Sequence, residues 1–319
     1  MRRKSRLWDT GGRFFKAFEG RLMPGMPGLF IVRARAKLNL RLEIGPPAGN
    51  GLHEVRSVIA DLRLADDIGF EPIHGAFAVR CEGVDVAERR NLAWRAAMAL
   101  RPELRDWRVR VRKVVPIQAG LGGGSADAAA VLRGVARIME ADGVPIVDAR
   151  LHMIAPLLGS DVSACLMPGL KIVEGTGERV TPFRAPAPGW GVLLLQPAAR
   201  VTTADAYARF ERGAKLAPAA GDLHALCAAF AAGDFERTCA LLHNDFQAVV
   251  EAAFPQVAEA RERLQAAGAA AAMLCGSGSC VAGLFESAAA AETGLAQLRV
   301  GAGEWAAVTG FADGADRAG

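Results

Sequence analysis

The chain has 319 residues, 51% of them hydrophobic and 23% charged, enough apolar material for one large core or two ordinary ones. The net charge of +4 sits in residues 1–26, where Arg2, Arg3, Lys4, Arg6, Arg13, Lys16 and Arg21 oppose only Asp9 and Glu19. The remainder is close to neutral, so no nucleic-acid surface is expected on it. There is no secretory h-region and no run of about 18 uncharged apolar residues. The six cysteines lack CxxC pairs and the density of a disulfide framework. These features point to a soluble cytoplasmic protein with reduced thiols, no metal-ligating set and no membrane partner.

Residues 1–26 read as a basic, poorly ordered extension. From Val32 to Ile44, Val32, Ala34, Ala36, Leu38, Leu40, Leu42 and Ile44 alternate with Arg33, Arg35, Lys37, Asn39, Arg41 and Glu43, which predicts a half-buried strand. Pro46, Pro47, Gly49, Asn50 and Gly51 then make a loop. Asn91 opens a helix to Leu100. Trp107 to Val115 alternates again and runs into Pro116. Beyond it, Ala128, Leu132, Val135 and Met139 form an apolar helical stripe that Gly143 ends. The proline-rich stretch Thr181 to Pro188 reads as the link between two halves, 27–183 and 184–313. Gly191 to Gln196 reads as a buried strand, alanine-rich helices fill about 205–270, and Cys280 to Phe285 reads as another strand.

The strongest chemical signal is PIQAGLGGGSADAAA, from Pro116 to Ala130. Gly120, Gly122, Gly123 and Gly124 allow positive φ and bring several N–H groups toward one anion, while Ser125 and Asp127 open a helix whose dipole adds to the attraction. A triphosphate fits such a loop. It is neither GxxxxGK[ST] nor GxGxxG with its distant acidic partner.

This run resembles the phosphate loop of the galactokinase, homoserine kinase, mevalonate kinase and phosphomevalonate kinase superfamily. Three further segments make the chain similar to the 4-diphosphocytidyl-2-C-methyl-D-erythritol kinases within it: AKLNL at Ala36 to Leu40, GLHE at Gly51 to Glu54 and LGSDV at Leu158 to Val162. A fourth, Leu274 to Cys280, resembles the second glycine motif of these kinases. The matches span roughly residues 30–290.

The resemblance implies a two-domain α+β fold with a nucleotide-binding half, a second half built on an antiparallel sheet backed by helices, and the active site in the cleft. It implies ATP-dependent phosphorylation, with Mg2+, of the 2-hydroxyl of 4-(cytidine 5'-diphospho)-2-C-methyl-D-erythritol in non-mevalonate isoprenoid synthesis, by a monomer or homodimer. Asp161 would take the hydroxyl proton and Lys37 would stabilise the transferred phosphoryl group. ATP would lie on Asn91, Lys113 and the loop Pro116, Ile117, Gln118, Ala119, Gly120, Leu121, Gly122, Gly123, Gly124, Ser125 and Ala126. The cytidine substrate would meet Asn39, His53, Thr203, Tyr207, Gly276, Ser277 and Gly278, with His53 bonded to cytosine and Tyr207 stacked on it. Three positions depart from the family pattern: Leu52 stands where tyrosine is usual, Ser163 where proline is, and Ala126 where a second serine is. Alternatives are a kinase of another small alcohol, or a catalytically silent ligand sensor of this fold.

Overall fold

The computed structural model describes residues 28–49, 51–82, 88–212 and 222–314, so the expected basic extension 1–26 lies outside the described residues. Two sheets organise the chain. The first contains β1 (Phe30–Pro47), β2 (His53–Ala76), β3 (Ala78–Glu82), β4 (Arg105–Arg112), β5 (Leu170–Glu174), β6 (Arg179–Phe183) and the two-residue β8 (His243–Asn244). Its main path runs β3-β4-β2-β1-β8, with β5 joining β2 to β6. The second sheet, ordered β11-β7-β10-β9, is wholly antiparallel and contains β7 (Gly191–Gln196), β9 (Ala271–Leu274), β10 (Val281–Phe285) and β11 (Trp305–Gly310).

Helices α1 (Leu92–Leu100), α2 (Gly123–Ala141), α3 (Asp148–Leu158) and α4 (Ser160–Leu166) accompany the first sheet. The stripe predicted for α2 is buried, with Leu132 and Val135 packed among Phe70, Val109 and Val111. The second half contributes α5 (Thr203–Glu211), α6 (Leu223–Ala232), α7 (Phe235–Leu241), α8 (Gln247–Ala253), α9 (Pro255–Ala266) and α10 (Ala288–Gln297). A second core joins the sheets: Ala36, Leu38 and Leu40 of β1 pack with Val192 and Leu194 of β7, Leu284 of β10 and Phe230 of α6.

Two expectations need correction. β1 is half-buried only toward its ends, where Arg33 is exposed and Arg35 and Glu43 partly so; in the middle Lys37, Asn39 and Arg41 are no more than 5% exposed, like their apolar neighbours. One reason is the glycine loop, which closes over the polar face and accepts the Lys37 N–H at Leu121 O, 2.9 Å. Nor do Ser125 and Asp127 open α2. The helix begins at Gly123, and its N-cap is Gly122, left-handed at φ 68° and without a side-chain cap. The proline-rich stretch is divided: β6 takes it as far as Phe183, and the chain then crosses to β7 without regular structure.

Candidate active site

β1 carries Lys37 and Asn39 on one face, two residues apart, as a strand requires. Lys37 Nζ donates to Asn39 Oδ1 (2.6 Å), Asn39 Nδ2 to Ser57 Oγ (2.9 Å), and Ser57 Oγ to the Arg41 carbonyl (2.6 Å). This chain holds the ammonium from the strand side. The same Lys37 Nζ lies 3.3 Å from Asp161 Oδ2 in the first turn of α4. The lysine side chain is 6% exposed and the carboxylate 42%, so Asp161 keeps an open side toward the cleft.

The glycine loop packs against this pair. A Cβ on Gly122 would stand 2.7 Å from Lys37 Cγ, and one on Gly120 would collide with the Cys275 carbonyl oxygen. Both residues have positive φ, 74° at Gly120 and 68° at Gly122, so glycine is needed there for conformation and for space. The second glycine motif is stitched to the first: Ser279 N donates to Gln118 O (3.2 Å) and Cys280 N to Ala119 O (3.3 Å). Asn244 of β8 holds the turn from behind, giving Nδ2 to both Leu274 O and Gly276 O at 2.8 Å.

Together these elements line a cleft of about 640 Å³, within the size range of small-molecule sites. Of the predicted residues, Lys37, Asn39, Asn91, Lys113, Asp161, Thr203, Tyr207, Gly276 to Gly278 and the loop from Pro116 through Ser125 line it. Ala126 does not. It is 2% exposed in the core under α2, and its N–H is already given to Gly122 O (2.9 Å), so it has no amide left for a phosphate. His53 also lies off the cleft wall. It is buried and stacks on Tyr207, with ring centroids 5.1 Å apart, and its Nε2 is 3.5 Å from Glu211 Oε1.

The uncapped first turn of α2 suits an anion. Behind it Lys113 Nζ is shared between Asp66 Oδ2 (2.6 Å) and Asp127 Oδ2 (2.8 Å), and Asp66 Oδ1 also accepts the N–H groups of Val114 and Val115. One ammonium thus serves two carboxylates, and Asp127 is the less well held. Burial pushes its carboxyl up to about 7, against the pull of Lys113 and helped by the charge of Asp66. Its Oδ1 has no protein partner. Asn91 caps α1, accepting Ala93 N at 2.9 Å, and its Nδ2 meets Cys81 Sγ at 3.0 Å, so its side-chain groups are engaged in the fold. Thr203 Oγ1 meets Ser277 Oγ at 3.1 Å, joining the start of α5 to the second glycine turn. No cluster of three or more His, Cys, Asp or Glu side chains suited to a metal occurs among the described residues.

Known proteins match this arrangement. The family description "GHMP kinases N terminal domain" matches residues 91–169, and "GHMP kinases C terminal" matches residues 224–300. A 4-diphosphocytidyl-2-C-methyl-D-erythritol kinase of Pelotomaculum thermopropionicum is 36% identical over 271 residues, 83% of this chain and 92% of the relative. The protein of that name from Geobacillus thermodenitrificans is 34% identical, with 80% and 88% covered. The chain belongs to the 4-diphosphocytidyl-2-C-methyl-D-erythritol kinase family.

A crystal structure of 4-(cytidine 5'-diphospho)-2C-methyl-D-erythritol kinase superposes with a TM-score of 0.71 at 29% identity, covering 88% of this kinase and 99% of that chain. Homoserine kinase from Cytophaga hutchinsonii shares the fold alone, with a TM-score of 0.64 at 15% identity and 92% and 99% covered.

The sequence reading named Asp127 as opening α2 but missed its pairing with Lys113, and it missed Asp66, Ser57, Asn244 and Phe246 in and around this kinase's cleft. Asp66 and Asp127 meet Lys113 only because β2 and α2 flank it. Ser57 reaches Asn39 across the β1–β2 pair, and Phe246 meets Tyr207 edge-on at 4.8 Å. Asn244 follows His243 in a strand too short to show alternation. The one local signal was the acidic Asp127 inside an apolar helix stripe.

Proposed function

We propose that this kinase transfers the γ-phosphoryl group of ATP to the 2-hydroxyl of 4-(cytidine 5'-diphospho)-2-C-methyl-D-erythritol, with Asp161 as base and Lys37 as the cation at the transferred group. The observation that carries the reading is the 3.3 Å approach of Lys37 Nζ to Asp161 Oδ2 directly beside the glycine loop. Phosphoryl transfer asks mainly for positioning, charge neutralisation and a proton acceptor. The uncapped amides of Gly123, Gly124 and Ser125 hold the phosphates, and Lys113 offsets the Asp66 and Asp127 carboxylates behind them. The substrate oxygen attacks the γ-phosphorus as its proton passes to the Asp161 carboxylate. The bond from that phosphorus to the β,γ-bridging oxygen breaks, and ADP leaves.

Mg2+ fits this donor set, since it retains waters and leans on the substrate's own phosphates with one or two carboxylates. Asp127, through its unpartnered Oδ1, and Ser125 would hold it, and when bound it offsets charge on the phosphoryl oxygens. Tyr207 and Thr203 line the substrate end, with His53 stacked behind Tyr207. Residues 27–183 form the N-terminal kinase domain with the ATP loop and 184–313 the C-terminal kinase domain of a cytoplasmic enzyme that works as a monomer or homodimer.

Leu52, 51% exposed at the substrate end, favours a second reading in which another small alcohol is phosphorylated. Turnover of the purified protein with ATP is measured on the cytidine compound, on mevalonate and on homoserine. Preferred turnover of the cytidine compound is expected. Activity on either other alcohol without it overturns the first reading.

A further inference from the structure

Beneath α4, away from the cleft lining, lies a second ion pair that the transfer chemistry does not use. Lys171 of β5 is fully buried, and Asp61 of β2 is 8% exposed. Lys171 Nζ donates to Asp61 Oδ1 and to the Met167 carbonyl, both at 2.5 Å, and Asp61 Oδ2 accepts the Gly169 N–H at 3.0 Å. Desolvating two charges costs several kcal/mol per ion, and apolar residues of the same volume are often as stabilising. Fold stability alone is therefore a weak reason for this pair.

Its location supplies a stronger one. Met167 is the C-cap of α4, the helix whose first turn carries Asp161. The two carbonyls before it are held as well: Arg133 of α2 donates to Cys165 O (3.0 Å) and Leu166 O (3.5 Å). Cations from the sheet and from the phosphate-loop helix thus converge on the end where a helix dipole is negative. At the other end the N-cap Gly159 provides no side-chain bond, and the first turn is met through the Lys37–Asp161 pair itself. A seven-residue helix is far below the length that persists unaided, so its placement is set by what grips it. Asp61 is also the register partner of Lys37 across β1 and β2, so α4 is tied to the very strands that carry the catalytic lysine. The half-buried Cys165 thiol reports the convergence. Burial pushes it up to about 12, and Asp161, Lys171, Asp61 and Lys37 all act on it.

We propose that Lys171 and Asp61, with Arg133, are positioning residues for the transfer step: they hold the C-terminal end of α4 so that its first turn presents Asp161 beside Lys37. The inference rests on Asp161 being the base. Asp61→Asn/Lys171→Met removes both charges together, leaving no unpaired buried ion but no donor to Met167 O. Its kcat is expected to fall ~10- to 100-fold, the scale of a misplaced catalytic group, with the KM for ATP within about twofold of the parent. Arg133→Met is expected to act in the same direction, and it carries the test if the double variant does not fold. Parental kcat in a folded clamp variant overturns the inference, as does a rise in the KM for ATP that matches the loss in kcat. Asp161→Asn separates the two readings. If it leaves turnover intact, the base assignment itself fails. If it abolishes turnover while clamp variants run at the parental rate, only the positioning role fails.

Discussion

His53 lies flat against Tyr207, the planes 25° from parallel, so the residue expected to read the cytosine edge occupies the ring expected to stack on it. Tyr207 is the only tyrosine of the chain. Stacking of a base on such a ring is worth about 1–3 kcal/mol. Tyr207→Ala is therefore expected to raise the KM for the cytidine substrate about 10-fold or more while the KM for ATP holds. Steady-state kinetics with each substrate varied in turn decides it, and equal increases in both would reduce Tyr207 to a packing role beside Phe246.

The open side of Asp161 makes a second prediction. Asp161→Asn keeps the shape and removes the proton acceptor, which costs ~10²- to 10⁴-fold in kcat. Nucleotide affinity measured by calorimetry should stay near the parental value, because the phosphate amides belong to another element. Loss of nucleotide binding with the rate would contradict the division of labour between α4 and the loop.

Gly120 and Gly143 form a controlled comparison. Both have positive φ, but a Cβ at Gly143 meets nothing within 4 Å, whereas at Gly120 it would collide with Cys275 O. Gly143→Ala should cost only the left-handed backbone penalty, ~1–2 kcal/mol. Gly120→Ala should cost more and should also weaken ATP binding, because the loop must move away from the second glycine turn. Denaturant titration and nucleotide binding on both variants test this, and similar losses in the two would remove the steric explanation.

Asp127 predicts a pH dependence of stability. Burial raises its carboxyl from 3.8 unfolded to about 7 folded. A group raised in this way stabilises the fold fully below its unfolded value and loses that contribution as the pH climbs through the folded one. Asp127→Asn removes the titration. From about pH 5 to about pH 8 the Tm of the variant relative to the parent should shift in the variant's favour. A constant difference across that range would show that Asp127 does not carry the slope.

Where one face of an element meets solvent or a ligand, the sequence was readable. β4 appears where its alternation marks it and α2 follows its stripe, while β7 and β10, buried on both faces, were found as short apolar runs, β7 with the predicted bounds. β2 was missed because Ser57 to Leu62 is buried on both faces, which erases the period that identifies a strand. Lys37 and Asn39 were found through their motif. Their burial was not, because it depends on a loop about eighty residues later folding back over β1. Asp61 and Lys171 are ordinary strand residues until β2 and β5 pair, and no local pattern announces that they will meet.

The core shared by Leu38 and Leu40 with Leu194 and Leu284 bears on how such an enzyme can breathe. Severing the chain between Phe183 and Gly191 would leave each fragment with a wet oily surface, so neither piece should survive alone in solution. The floor of the cleft is one slab, so any change in its width falls to the rim.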